Sequence, residues 1–323
     1  MFQKYSKIIK FCMRYGWKFF KPGRFTPKRL PNLSIEVTNY CKSRCVFCAN
    51  SIMKRPRVNL DMGLFEKAVQ EFAGAGGGCI DFSVCIGEPL LDPYLLKRVR
   101  FVKSFDNLKG LGFVTTLQEL NSYDLAEFID AGIDWLNISS VFSGKQKYKE
   151  FFGTDNYEQT LDNIINLLEE NKKRGNKINI SFDIKPTEET ISEIKSSSDF
   201  KLIDRLTDGH LSKRVDAMSI CVDDWIGNVQ LPGYLKKRKR PLYPRVFRPC
   251  SLFYNKLIVY SNGKIGICSC RDFNADSEMI LGDIREIGIL EAWASEKINN
   301  LRRNWRLKNV IPEICRKCSA YSY

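Results

Sequence analysis

Cys41-Lys-Ser-Arg-Cys45-Val-Phe-Cys48 is the stretch on which the reading of this chain turns. Three thiols stand four and then three residues apart, directly after an apolar run, Leu33-Ser-Ile35-Glu-Val37, that reads as a short strand. Three sulfurs converging from one loop leave one unpaired in any disulfide scheme. They suit three corners of an iron–sulfur cube, because thiolate is the natural ligand of such clusters. A cube has four irons, so three protein ligands leave one iron open for something else.

Composition narrows the setting. The 323 residues are 44% hydrophobic and 27% charged, which suits a folded chain with one large domain and a smaller one. No apolar run approaches the ~20 residues of a membrane span, and no short apolar core with a cleavage site marks a signal peptide. The expected location is the reducing cytoplasm, where twelve cysteines argue for metal or redox chemistry rather than bridges. The single histidine, His210, leaves little room for zinc–imidazole sites or histidine acid/base catalysis, and its Gly-His-Leu-Ser setting reads as a surface turn.

The net charge of +14 belongs to two acid-free segments. Residues 1–30 hold nine Lys/Arg, and residues 232–250 hold seven (Lys236, Lys237, Arg238, Lys239, Arg240, Arg245 and Arg248). Together these exceed the net charge, so the rest of the chain is close to neutral. Residues 1–21 read as a basic amphipathic helix, with Lys4, Lys7, Arg14, Lys18 and Lys21 opposite Tyr5, Ile8, Ile9, Cys12, Tyr15 and Phe19. Such a helix fits two settings: peripheral, in the headgroup plane of an anionic membrane at its inner face, or packed by its apolar side onto the protein body. The basic run at 236–240 lacks interleaved stacking aromatics, so it reads as a solvated linker and nucleic acid is not an expected partner.

From residue 33 to about 230, strand-like stretches at 33–37, 79–85, 111–116, 135–140, 178–184 and 217–222 alternate with amphipathic ones at 61–74, 92–104, 121–131, 157–174 and 188–205. Strand then helix, repeated, builds a parallel sheet with right-handed crossovers. Six units fall short of an eight-stranded barrel, and active sites of such sheets lie at the carboxyl ends of strands, where the 41–48 loop falls. The second strand ends in Cys85-Ile-Gly87-Glu88-Pro89. Glycine there lets the backbone approach a ligand, and the carboxylate can accept hydrogen bonds from an ammonium group. Asp223, Asp224 and Trp225 follow the sixth strand and either line a substrate pocket or cap a loop. Cys12, Cys79, Cys85 and Cys221 read as small hydrophobes filling cores.

Cys250 opens the C-terminal part. Residues 257–260 and 264–268 flank Asn262-Gly263, the strongest short hairpin signal, which folds Cys268 back towards Cys250. A helical stretch at about 286–306 leads to Cys315-Arg-Lys-Cys318. Four such thiols can close a complete cluster, with no open iron, or hold a structural zinc. Cys270 either exchanges with Cys268 as a ligand or is spare.

The CxxxCxxC loop, with Phe47 before its last cysteine, resembles the cluster loop of the radical S-adenosylmethionine (radical SAM) superfamily. Gly87-Glu88-Pro89 is similar to that family's Gly-Gly-Glu-Pro element, with Ile86 in place of the first glycine. Cys250, twelve residues, Gly263, four residues and Cys268 resemble the opening of the SPASM extension, here in its shortened twitch form because the chain stops five residues after Cys318. The resemblance implies an α/β fold: an open, partial (β/α)6 TIM-like barrel with a small C-terminal SPASM/twitch domain of β-hairpin and helix. It divides the chain into a basic arm (1–30), the barrel (31–230), a basic linker (231–249) and an auxiliary iron–sulfur domain (250–323).

The same resemblance implies a SAM-binding [4Fe–4S] cluster on Cys41, Cys45 and Cys48, and an auxiliary [4Fe–4S] cluster on Cys250, Cys268, Cys315 and Cys318. S-adenosylmethionine falls to Phe47, Gly87, Glu88, Pro89 and Ser139. Thr115-Thr116-Leu stands where many relatives have Thr-Asn-Gly, so no role passes to it. The implied activity is reductive cleavage of SAM to a 5′-deoxyadenosyl radical and a two-electron oxidation of a sugar, aminocyclitol or carbohydrate-linked metabolite, as in twitch-bearing aminocyclitol dehydrogenases. The auxiliary cluster would accept the electron, and a flavodoxin or ferredoxin-type protein would be the reductant. Two alternatives stand beside it: a peptide- or protein-modifying maturase, and a non-catalytic zinc or electron-transfer protein.

Overall fold

The computed structural model describes residues 29–82, 86–218, 221–238, 249–268 and 271–321. The expected N-terminal helix with Cys12, the residues Cys85 and Cys270, and the basic run from 239 to 248 lie outside them. Five strands alternate with helices: β1 (Asn32–Ile35), α1 (Met62–Gly74), β2 (Gly78–Asp81), α2 (Leu95–Lys103), β3 (Leu108–Thr115), α3 (Leu125–Asp130), β4 (Trp135–Ser140), α4 (Lys145–Phe152), α5 (Tyr157–Lys173) and β5 (Asn179–Ile184). The strands lie side by side in chain order, every neighbouring pair parallel. Their side chains bury on both faces, as sheets covered by crossover helices require: Leu33, Ile35, Ile80, Phe113, Ile138 and Phe182 are all inaccessible to solvent. Helix α1 turns Phe65, Ala68, Val69 and Phe72 onto the sheet at helical spacing, each large side chain contributing roughly 1.5–3 kcal/mol.

The stretch after β5 departs from the expected pattern. The single helix at 188–205 is two, α6 (Ile191–Ser196) and α7 (Ser198–Leu206), because Ser197 stops one and caps the next. His210 is not in a turn but begins α8 (His210–Asp216), whose Leu211 and Val215 bury one turn apart. That helix consumes the chain up to Asp216. Among the described residues of the expected sixth strand, β6 (Cys221–Val222) is the extended part, and it pairs with β7 (Lys236–Lys237) in a separate two-stranded sheet.

The sixth parallel strand of the main sheet comes instead from the C-terminal part. After α9 (Leu252–Asn255), β8 (Lys256–Val259) runs parallel to β1, and β9 (Lys264–Gly266) and β10 (Ile280–Asp283) continue the sheet antiparallel. The Asn262-Gly263 turn is the expected hairpin, with Gly263 at φ +88. Helices α10 (Ile289–Ala294), α11 (Glu296–Lys308) and α12 (Glu313–Arg316) close the chain. No helix of the described residues is long and apolar enough to cross a membrane.

A buried ion pair locks this C-terminal hairpin to the barrel. Arg55 meets both carboxylate oxygens of Glu36 and donates from Nε to the Phe273 carbonyl at 2.7 Å, while Ser261 donates to Glu36 from N (2.9 Å) and Oγ (2.7 Å). Both charged side chains are almost fully buried. Arg55→Ala leaves the Glu36 charge without its counter-ion, and urea denaturation should show a loss of about 3–5 kcal/mol.

Candidate active site

The chain leaves β1 and passes through residues 36–40 into the loop that carries Cys41, Cys45 and Cys48, at the carboxyl end of the strand. Helix α4, absent from the sequence-based expectation, clamps this loop. Arg44 N donates to Phe152 O at 2.8 Å and Val46 N to Phe151 O at 3.0 Å, and the Phe47 and Phe151 rings lie 5.3 Å apart. Its signal was present in the sequence: Tyr148, Phe151 and Phe152 recur at helical spacing between Gly144 and Gly153, and all three are buried. Asn50 Nδ2 donates to Ser43 O at 3.1 Å and braces the loop from within.

The three thiols share one electrostatic environment. Burial first, and then the charges of Glu88 and Cys48, push the Cys41 thiol up to about 12. Cys45 is raised by burial and then by Cys48 and Cys41; Cys48 is raised by burial. Lys185 opposes the rise at Cys45 and Cys48. Buried thiols that hinder one another's ionisation give up their protons when a cationic centre arrives, which is the behaviour of a ligand set.

Gly87 and Glu88 dock on the stem of the same loop. Gly87 has φ +114, and a Cβ there would run into the carbonyl oxygen of Thr38; Glu88 N donates to Tyr40 O at 2.7 Å. The close approach that demands glycine is thus to the residues leading into Cys41. Gly87→Ala combines a left-handed φ with that collision and should cost on the order of 1–3 kcal/mol or more in thermal unfolding, and should weaken retention of iron at the loop.

The Glu88 carboxylate accepts from Thr115 Oγ1 (2.6 Å), Thr116 N (2.9 Å), Thr116 Oγ1 (2.9 Å) and Leu90 N (3.4 Å). Thr115 and Thr116, which carried no expected role, therefore orient it. Burial raises this carboxyl above the usual range. Pro89 opens a 3-10 turn, Pro89–Leu91, and is buried. Ser139 is buried at the end of β4, in register with Asp183 of β5.

The second thiol group assembles from three places. Cys250, Cys268, Cys315 and Cys318 line one small cavity with Phe253 and Tyr321. Burial raises the Cys315 thiol, and Cys268, Cys250 and Cys318 each add to it. Among the described residues no three Cys, His, Asp or Glu side chains stand close enough to share one metal ion. A cluster does not ask that of them, since each thiolate binds a different iron. Both groups fit cluster ligation in residue type and in mutual proximity.

Of the cysteines expected as core fillers, Cys79 is exposed: it alternates with buried Ile80 and so faces outward. Cys221 is half-buried and lines a polar cleft beside Phe47. The same cleft is lined by Asp183, Lys185, Arg214, Asp223, Trp225 and Arg271. The Lys185 ammonium lies 5.0 Å from the Phe47 ring centre. Asp223 and Trp225 thus belong to the cleft wall, whereas Asp224 pairs with Lys237.

Comparison with known proteins agrees with this geometry. Residues 35–196 match the family described as the Radical SAM superfamily, and residues 250–319 match SPASM, described as an iron-sulfur cluster-binding domain. Among curated relatives, a GTP 3′,8-cyclase of Chlorobaculum tepidum is 29% identical over 134 residues, 42% of this chain and 40% of the relative. The chain therefore spans well under half of that relative's length. Among solved structures, BtrN in complex with AdoMet and 2-DOIA aligns with a TM-score of 0.56 at 18% identity, covering 87% of this chain and 88% of BtrN. Streptococcus suis SuiB bound to S-adenosylmethionine aligns with a TM-score of 0.61 at 15% identity, covering 98% and 78%. At such identities the likeness is one of fold.

Proposed function

Because the chain belongs to the radical SAM superfamily and carries a SPASM domain, we propose that it is an enzyme that dehydrogenates a small, polar, carbohydrate-like substrate. The two domains imply [4Fe–4S] clusters and S-adenosylmethionine. Cys41, Cys45 and Cys48 would hold the SAM-site cluster, and Cys250, Cys268, Cys315 and Cys318 the auxiliary one. When bound, SAM with its cluster supplies a hydrogen-abstracting 5′-deoxyadenosyl radical, and the auxiliary cluster supplies an electron acceptor.

The protein's own part is placement. Glu88, steadied by Thr115 and Thr116, would turn its carboxylate to the SAM amino group, exchanging one threonine hydroxyl for the ammonium. Gly87 and Pro89 fix the turn on which Glu88 sits, Ser139 would face the carboxylate or ribose end, and Phe47 would pack against the cofactor from the cleft wall. The external reductant would be a flavodoxin or ferredoxin-type protein.

The observation that carries the substrate reading is the polar cleft beside Phe47. Its wall carries the ion pairs Asp183–Lys185 and Asp223–Arg271 with Arg214 beside them, a polar lining that suits a ligand bearing several hydroxyl or amino groups. The test is anaerobic incubation with SAM, dithionite and a panel of aminocyclitols, sugar derivatives and peptides. The expected result is 5′-deoxyadenosine together with a carbohydrate-class product lacking two hydrogens. Loss of two hydrogens from a peptide alone contradicts the substrate class.

A further inference from the structure

A chain of contacts ties the two thiol groups together. Trp225 Nε1 donates to the carbonyl of Phe47, the residue before Cys48, at 2.6 Å. Trp225 N donates to Asp223 Oδ1 at 2.7 Å. The Arg271 guanidinium lies 4.8 Å from the Trp225 ring centre and forms an ion pair with Asp223. Ser319, the residue after Cys318, donates its hydroxyl to the other oxygen of Asp223. Asp223, Trp225 and Ser319 are each less than a tenth exposed.

The backbone of this turn is strained. Trp225 has φ +50 and the β-branched Ile226 φ +68, consecutive left-handed residues of kinds that rarely adopt them, each at a cost on the order of 1–3 kcal/mol. A turn that merely closed a loop would be served by Asn or Gly there. Such strain persists where the surroundings over-determine it, and here the indole is held from both sides.

We propose that residues 223–227 and Arg271 form a strut that fixes the two cluster loops relative to one another and presents a single guanidinium charge to both. This rests on the reading of the two thiol groups as cluster holders. Arg271 stacks on Trp225, whose N–H meets the residue before Cys48, and pairs with Asp223, which meets the residue after Cys318, so this cation lies between the two groups. A cation facing an iron–sulfur cluster stabilises its reduced, more negative state, so Arg271 raises both reduction potentials. Asp223 and Trp225 act through Arg271 and Phe47, as positioning residues.

The test is an EPR-monitored redox titration of reconstituted holoenzyme carrying Arg271→Gln or Arg271→Lys, with iron content measured on the same samples. In Arg271→Gln both midpoint potentials should become more negative with iron retained, and Arg271→Lys should return both towards the parent values. A shift of one cluster alone, or of neither, overturns the shared-charge proposal. Trp225→Phe keeps an aromatic ring under Arg271 and removes the N–H to Phe47. It should speed loss of the SAM-site cluster to an iron chelator about tenfold while the auxiliary cluster is released as before; equal release from both overturns the strut. A parent protein without two clusters would count against the proposed function instead, before any variant is compared.

Discussion

Cys41→Ala is expected to abolish SAM cleavage outright and to lower bound iron from about eight to about four per chain. A cluster held at three corners by one loop has no fourth protein ligand to fall back on. The neighbours of Cys41, Cys45 and Cys48 are loop backbone, α4 and the Gly87-Glu88 turn, and among the described residues none of these supplies a replacement thiol. The second thiol group should keep its iron, because Cys250, Cys268, Cys315 and Cys318 sit on separate elements around their own cavity. Iron analysis and chromatography for 5′-deoxyadenosine read the two effects independently.

Cys318→Ala should do the converse: 5′-deoxyadenosine continues to form from SAM and dithionite, while the dehydrogenated product disappears. Cys318 follows α12 with its N–H on Cys315 O at 3.3 Å, far in sequence from the first thiol group, so its loss should leave the barrel and that group intact. The packing that holds this region does not depend on the sulfur, since Trp305 and Phe253 meet edge-on at 5.4 Å and Tyr321 packs on Trp305 at 6.3 Å. Full turnover by this variant would remove the electron-accepting role assigned to the auxiliary cluster.

Much of this site is legible in the chain because ligand spacing is local. Three thiols in eight residues, and Cys-x-x-Cys after a hairpin, hold their geometry within a turn or two. The five alternating strands are legible for the same reason, since a period of two or of 3.6 is written in neighbouring residues. What escaped is tertiary. The partner of β1 on its outer side is β8, more than two hundred residues on, and no periodicity announces that pairing. Thr115 and Thr116 matter because the end of β3 meets the turn after β2, so their value appears only once Glu88 is beside them. Arg55 and Glu36 likewise look like ordinary surface charges until the C-terminal hairpin covers them. Helix α4 is written ambiguously: its three buried aromatics stand at helical spacing, but eight residues between two glycines resemble a loop.

The central claim is that the Cys41, Cys45 and Cys48 site leaves one iron of its cluster open to the methionine end of SAM. EPR of the dithionite-reduced protein with and without SAM tests it most directly. Addition of SAM should change the signal of one reduced cluster and leave the other as it was. Two signals indifferent to SAM, or zinc in place of iron at the first thiol group, would contradict it.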